Sequence, residues 1–241
     1  MSVTEPAAEA HEPGLPASRR CRLVLTGGPG GGKTTAADLF RREIGERVVI
    51  VPESATILFA GGFPRTHDAE AQRAVQRAIF HVQRNIEDVQ SALFRDRVLL
   101  CDRGTVDGAA YWPEGCHDFF AAMGTTAEDE LARYDAVVFF ETAAVAGQSI
   151  EGGNPVRTES FSEAVALDRR LRALWSHHPR FMLVPHTSSF LHKITTGLAL
   201  LESLVAEFTS PQAGPEPATG ALRAAGGPND VAAPEQRTRP T

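Results

Sequence analysis

A chain of 241 residues, 42% hydrophobic and 22% charged, carries enough apolar material for one sizeable core. Its net charge of −6, with no long block of one sign, argues against a nucleic-acid partner, so an anionic ligand must be met by local cations. Three cysteines with no CxxC spacing argue against zinc and against a disulfide framework, and they fit a reducing cytoplasm.

Residues 1–19 contain acids and prolines but no apolar core of a signal peptide, and read as a disordered leader. Residues 210–241, rich in Pro, Gly and Ala, read as a disordered tail. The globular domain expected between them is 20–209. Nowhere does the chain reach the run of about 18 apolar residues that spans a membrane, so the expectation is a cytoplasmic protein without integral membrane association.

The first candidate strand is "CRLVLT" (21–26), with Cys21 as a buried thiol. "GGPGGGKTT" follows, and Gly27, Gly32, Lys33 and Thr34 satisfy the P-loop spacing. Through Gly27, Gly28, Pro29, Gly30, Gly31 and Gly32 the backbone can curl its N–H groups onto phosphate oxygens, and a helix over 33–45 adds its positive end. Lys33 is placed to reach the β- and γ-phosphates of ATP, and the Thr34 hydroxyl to ligate Mg²⁺. Thr35 either contacts an α-phosphate or fills the first turn of the helix.

The second strand, "RVVIV" (47–51), delivers Glu53 to the sheet edge, where a carboxylate can take a proton from an attacking hydroxyl. A long helix over 68–95 follows, with Val75, Ile79, Val82, Ile86, Val89 and Leu93 expected on its buried stripe. The third strand, "VLLC" (98–101), contains Cys101 as a second buried thiol and leads to Asp102-Arg103. Asp102 stands where a carboxylate holds the water shell of a nucleotide-bound Mg²⁺. A hydrolytic motor often has a second acid next; here the follower is a fixed cation, which argues for phosphoryl transfer to an acceptor. Tyr111, Trp112 and Phe119 either line an acceptor pocket or pack the core.

The fourth strand, "AVVFFE" (136–141), opens a long segment over 143–160 whose Gly147, Gly152, Gly153 and Arg157 suit a lid, with Arg157 steadying charge in the transition state. A helix over 161–177 begins at a capping box, Ser160 and Glu163; Asp168 is expected to pair along it with Arg172, and Arg169 is a lesser lid candidate. His177 and His178, being adjacent, suit helix capping rather than metal binding. The last elements are "FMLVP" (181–185) and a helix over 190–208 with Leu191, Ile194, Leu198, Leu201, Val205 and Phe208 at helical spacing. Five rounds of strand and helix specify an α/β P-loop NTPase fold, a five-stranded parallel sheet flanked by helices, of the nucleoside- and nucleotide-kinase type. The absence of an NKxD motif gives no support for GTP reading of the G-protein kind.

Taken together, "LTGGPGGGKTT", "VPESATILFAGGFPR", "LCDRGTVDGAAYWP", "YDAVVFFET", "NPVRTES" and "LWSHHPRF" resemble the NadR-like P-loop family, often labelled AAA-type ATPase, over about 20–208. That resemblance implies either a ribosylnicotinamide-kinase-like activity or, through its TRPL-translocation-defect branch, a nucleotide- and phosphoinositide-binding role. Glu53, Asp102 and Arg103 are also similar in type to the base and the acid–Arg pair of deoxynucleoside kinases. Two functions are therefore expected to compete: a small-molecule kinase using ATP and Mg²⁺, and a nucleotide-dependent switch with little chemistry.

Overall fold

The protein is seen in a computed structural model that describes residues 21–146 and 161–209. The leader, the tail, Ser160 and the lid candidates Gly147, Gly152, Gly153 and Arg157 lie outside the described residues.

Five apolar runs form the strands β1 (Arg22–Thr26), β2 (Val48–Val51), β3 (Val98–Asp102), β4 (Ala136–Phe140) and β5 (Phe181–Val184). They pair in the order β2-β3-β1-β4-β5, every pair parallel, which is the expected sheet. Their lack of alternation follows from burial on both faces: every residue of β3 and of β4 is buried. From β1 the chain crosses one way to β2, and from β3 it crosses the other way to β4. The carboxyl end of β1 is therefore the switch point where a parallel sheet opens a crevice for ligands.

The helices are α1 (Lys33–Ile44), α2 (Ser54–Ala60), α3 (Ala69–Leu93), α4 (Cys116–Ala122), α5 (Ala127–Leu131), α6 (Phe161–Trp175) and α7 (Phe190–Thr209), with a 3-10 turn at Thr105–Tyr111. α1 and α7 cover one face of the sheet, where Phe40, Ile194 and Leu201 pack with Leu23 and Leu25. Phe80 of α3, Phe119 of α4 and Trp175 of α6 pack with Val24, Leu99 and Cys101 on the other. Each large apolar side chain so buried contributes about 1.5–3 kcal/mol.

Three expectations change. The buried row of α3 is turned by one residue from the expected stripe: Val75 is buried, but Val89 and Leu93 are 54% and 68% exposed, and the inward line runs Gln76, Phe80, Gln83, Glu87, Ser91. A polar network explains the rotation. The Tyr134 hydroxyl donates to Glu87 (2.8 Å), Arg133 pairs with Glu87 (2.8 Å), and the Thr105 hydroxyl donates to Glu130 (2.7 Å). Burial, then the Glu87 charge, pushes the Tyr134 phenol well above its ordinary value and keeps it a donor. On α7, Leu191 is 71% exposed although Ile194, Leu201 and Val205 are buried as expected. The histidine pair caps α6 only through its backbone: the His178 N–H donates to the Trp175 carbonyl (2.9 Å), while its buried ring accepts the Arg180 N–H on Nδ1 (3.0 Å) and donates from Nε2 to the Tyr134 carbonyl (2.9 Å), and His177 is exposed. Trp112 and Phe119 belong to the core, whereas Tyr111 does both: it packs against the cluster of Ala110, Phe139, Leu167 and Leu171 and borders the crevice.

Candidate nucleotide and acceptor site

The turn from β1 into α1 is a nearly closed loop of six residues, Gly27–Gly32. Gly32 takes φ +87°, which a side chain rarely tolerates. Gly28 is glycine for a different reason: a Cβ there would stand 2.6 Å from Oδ1 of Asp168. That oxygen accepts the Gly28 N–H (2.9 Å) and the Thr142 N–H (2.9 Å), so α6 and the end of β4 grip the loop through one carboxylate. Thr142 adds a hydroxyl bond to the Pro29 carbonyl. The expected Asp168–Arg172 pair is therefore replaced: Asp168 turns inward to two buried N–H groups, and Arg172 pairs with Glu141 (3.2 Å). Burial raises the Asp168 carboxyl and the two N–H groups oppose it, leaving it above its ordinary value.

Lys33 starts α1, is buried, and donates from Nζ to the carbonyls of Gly27 (2.7 Å) and Gly28 (2.8 Å). Desolvation and then the Arg103 charge lower its pKa to about 7, against Asp102, Glu53 and Asp107, which raise it. Thr34 and Thr35 follow on the exposed side of the helix, Thr34 on the crevice.

At the end of β3, Asp102 is buried and Arg103 adopts φ +69°, the left-handed region, at a cost of about 1–2 kcal/mol for a residue with a Cβ. Packing fixes it there. Its N–H donates to the Leu25 carbonyl (2.9 Å), its carbonyl accepts from Gln83 Nε2 (3.2 Å), and its guanidinium spans Glu53 through Nε and Asp107 through Nη1 (2.9 Å). Burial opposes the Arg103 charge, but Tyr111, Glu53 and Asp107 hold it well above its ordinary value. For Glu53, burial pushes upward, and Arg103, the Thr56 hydroxyl and Lys33 outweigh it, so the carboxylate is held ionised. Desolvation and the neighbouring Glu53 lift Asp102 to about 6.

Asp107 escapes a reading of strand ends because it lies on the 3-10 turn, one helical turn past Arg103. Its carboxylate accepts from the Thr26 hydroxyl (2.9 Å), the Trp175 indole N–H (2.6 Å) and Arg103. β1, α6 and the Asp–Arg corner thus meet on one buried side chain. The spacing of Arg103 and Asp107, four apart in "DRGTVD", is the signal that could have found it.

Lys33, Thr34, Glu53, Asp102 and Arg103 all border one cleft of about 840 Å³, which continues between α2, α3 and the 3-10 turn. Ile57, Phe59, Ile79, Phe80 and Tyr111 line this part of it, so much of its wall is apolar. One polar group there is uncommitted: Gln76 is only 9% exposed, faces the cleft, and makes no hydrogen bond among the described residues. Gln83, two turns along the same helix, is by contrast fully used by Glu87, Arg103 and Ser54.

A phosphate-cradling loop at the switch point of a parallel sheet, with a buried lysine and carboxylates from the next two strand ends, defines the P-loop NTPase class of nucleotide-binding proteins. A family model described as an AAA domain matches residues 22–189, which is more than half of the chain, and the chain belongs to that family. No curated protein matches it.

Proposed function

We propose that this AAA-domain protein is a cytoplasmic kinase that moves the γ-phosphoryl group of ATP to a hydroxyl of a nucleoside-like small molecule. The observation that carries the reading is the continuity of the cleft: one cavity is lined by Lys33 and Asp102, by the Glu53–Arg103 pair, and by the apolar side chains of α2, α3 and Tyr111. A hydrolase needs only a water at Glu53, whereas this chamber is large enough for an organic acceptor.

Gln76 refines the acceptor. Gln83 touches the Arg103 carbonyl, and seven residues of helix separate the two glutamines, about 10 Å along α3. That separation suits a nucleoside-like molecule whose sugar hydroxyl meets Glu53 and whose planar base reaches Gln76. A primary amide offers one donor and one acceptor side by side, and so complements a carboxamide or a nucleobase edge.

The geometry supports the following roles. The Gly27–Gly32 N–H groups and α1 hold phosphate oxygens, and Lys33 regains its full charge when it exchanges loop carbonyls for phosphate. Thr34 and Asp102 are hard oxygen donors. Among the described residues no group of three or more His, Cys, Asp or Glu could cage an ion, so this pair fits a Mg²⁺ that arrives with the nucleotide and keeps its waters. When bound, such an ion would supply positive charge that offsets the charge of the phosphates. Glu53 orients the acceptor hydroxyl and accepts its proton as the O–P bond forms. Arg103, held by two carboxylates, presents its remaining Nη2 to the acceptor or the incoming phosphate. Arg157 is proposed to add positive charge from the segment between β4 and α6.

Glu53→Gln tests this reading. Turnover with a cognate nucleoside should fall by about 10²–10⁴-fold, the usual contribution of a general base, while ATP affinity stays within a few fold. Equal turnover by the variant would remove Glu53 from the chemistry.

A further inference from the structure

The cleft accounts for the γ-phosphate and the acceptor, and leaves the other end of the nucleotide unassigned. The polarity of the loop fixes where that end lies. The γ-end points toward Lys33, Asp102 and Glu53, on the β3 and β2 side of β1. The remainder of the nucleotide must leave the loop by the opposite side, toward β4 and β5, whose following helix is α7.

An exposed aromatic stands there. Phe190, the first residue of α7, is 55% exposed, yet its ring is set against the P-loop: a Cβ on Gly32 would lie 2.9 Å from Phe190 Cε2 and 3.4 Å from Ile194 Cδ1. The mount is firm. Ser189 caps α7 by accepting the His192 N–H (3.2 Å), the Thr187 hydroxyl donates to the Ser189 carbonyl (2.8 Å), and the His186 N–H is held by Glu141 (2.9 Å). Ile194, one turn on, is buried in the core and anchors the helix beneath the ring. A large ring left half in water by a rigid corner, next to a loop that binds a ligand with a planar end, has an evident occupant.

We propose that Phe190 is the platform on which the nucleobase of the bound nucleotide stacks. The inference rests on the reading of Gly27–Thr34 as the nucleotide cradle, and it adds the base site. A ring face reads the π-surface of a base and not its hydrogen-bonding edge, so this contact supplies affinity without strict choice of base.

Isothermal titration of the full chain with ATP and with inorganic tripolyphosphate, both with Mg²⁺, separates the two claims. In wild type both bind, ATP the tighter. Phe190→Ala should weaken ATP by about 5- to 150-fold, the range found for loss of one base–aromatic stack, and leave tripolyphosphate unchanged; Phe190→Trp should restore ATP affinity. Because Phe190 is exposed, its truncation leaves the core intact. If ATP and tripolyphosphate weaken together, Phe190 only props Gly32 and the proposal falls; if neither weakens, the base lies elsewhere and it falls too. Wild-type protein that binds neither ligand would overturn the cradle reading itself, and with it the platform.

Discussion

Asp107→Asn is the most informative perturbation of the scaffold. The wild-type carboxylate accepts from three donors: Thr26 Oγ1, Trp175 Nε1 and Arg103 Nη1. An asparagine keeps one acceptor oxygen and turns an NH₂ toward whichever of Trp175 or Arg103 the oxygen does not face. At least one charge-assisted bond is lost, each worth about 1.5–3 kcal/mol, and the orphaned donor adds its desolvation penalty. Glu53 still neutralises Arg103, which holds the total to about 2–4 kcal/mol. For a domain of this size each kcal/mol lowers Tm by about 2–4 °C, so the variant should melt about 5–15 °C lower. Thr26→Val removes one hydroxyl from the same carboxylate and should cost only about 1 kcal/mol. Thermal melts of the three proteins, followed by circular dichroism, test the reasoning. A Tm for Asp107→Asn within 1 °C of wild type, or below-wild-type stability in Thr26→Val alone, would show that Asp107 is not the junction described here.

Other substitutions discriminate by single atoms. Asp168→Asn should be nearly silent, because Oδ1 alone accepts both the Gly28 and Thr142 N–H groups, whereas Asp168→Ala should cost about 2–4 kcal/mol through two orphaned donors; urea denaturation compares them. Gly28→Ala should abolish ATP binding in a titration, since its Cβ would collide with Asp168. Lys33 gives a pH signature. With its folded pKa at about 7 and an unfolded value near 10.5, the folded protein binds fewer protons than the unfolded chain between those limits, so nucleotide-free stability rises with pH from about 7 and levels off near 10.5. Phosphate restores the charge, so ATP binding at pH 8 should take up about one proton, seen as a heat difference between buffers of unlike ionisation enthalpy; equal heats would contradict it.

What could be read from the sequence was what short segments encode by themselves. Each strand end carries its own signal, an apolar run followed by "GGPGGGKTT", "PES" or "DRG", and a parallel sheet brings those ends to one edge whatever the packing beneath. The structure accordingly gathers Lys33, Thr34, Glu53, Asp102 and Arg103 around one cleft. Contacts made across the fold left no such mark. Asp168 looked like half of an ordinary helix pair because its real partners, Gly28 and Thr142, are 140 and 26 residues away. The inward face of α3 was misjudged because Gln83, Glu87 and Ser91 are polar, and only Tyr134, Arg133 and Arg103 reveal why they are buried. Short elements have too few residues for a period to show: α2 buries Ser54 against α3, and the Thr105–Tyr111 turn buries Thr105 through Ala110.

The central functional claim is that the γ-phosphoryl group goes to an organic hydroxyl. Its most direct measurement follows γ-³²P from ATP, in the presence of Mg²⁺ and a panel of nucleosides and ribosides bearing a carboxamide or nucleobase edge. At least one acceptor should take up label in a new phosphate ester, in step with ADP release, while free phosphate stays near background. Label appearing only as free phosphate, at a rate no acceptor changes, would contradict the kinase account and leave a hydrolytic switch.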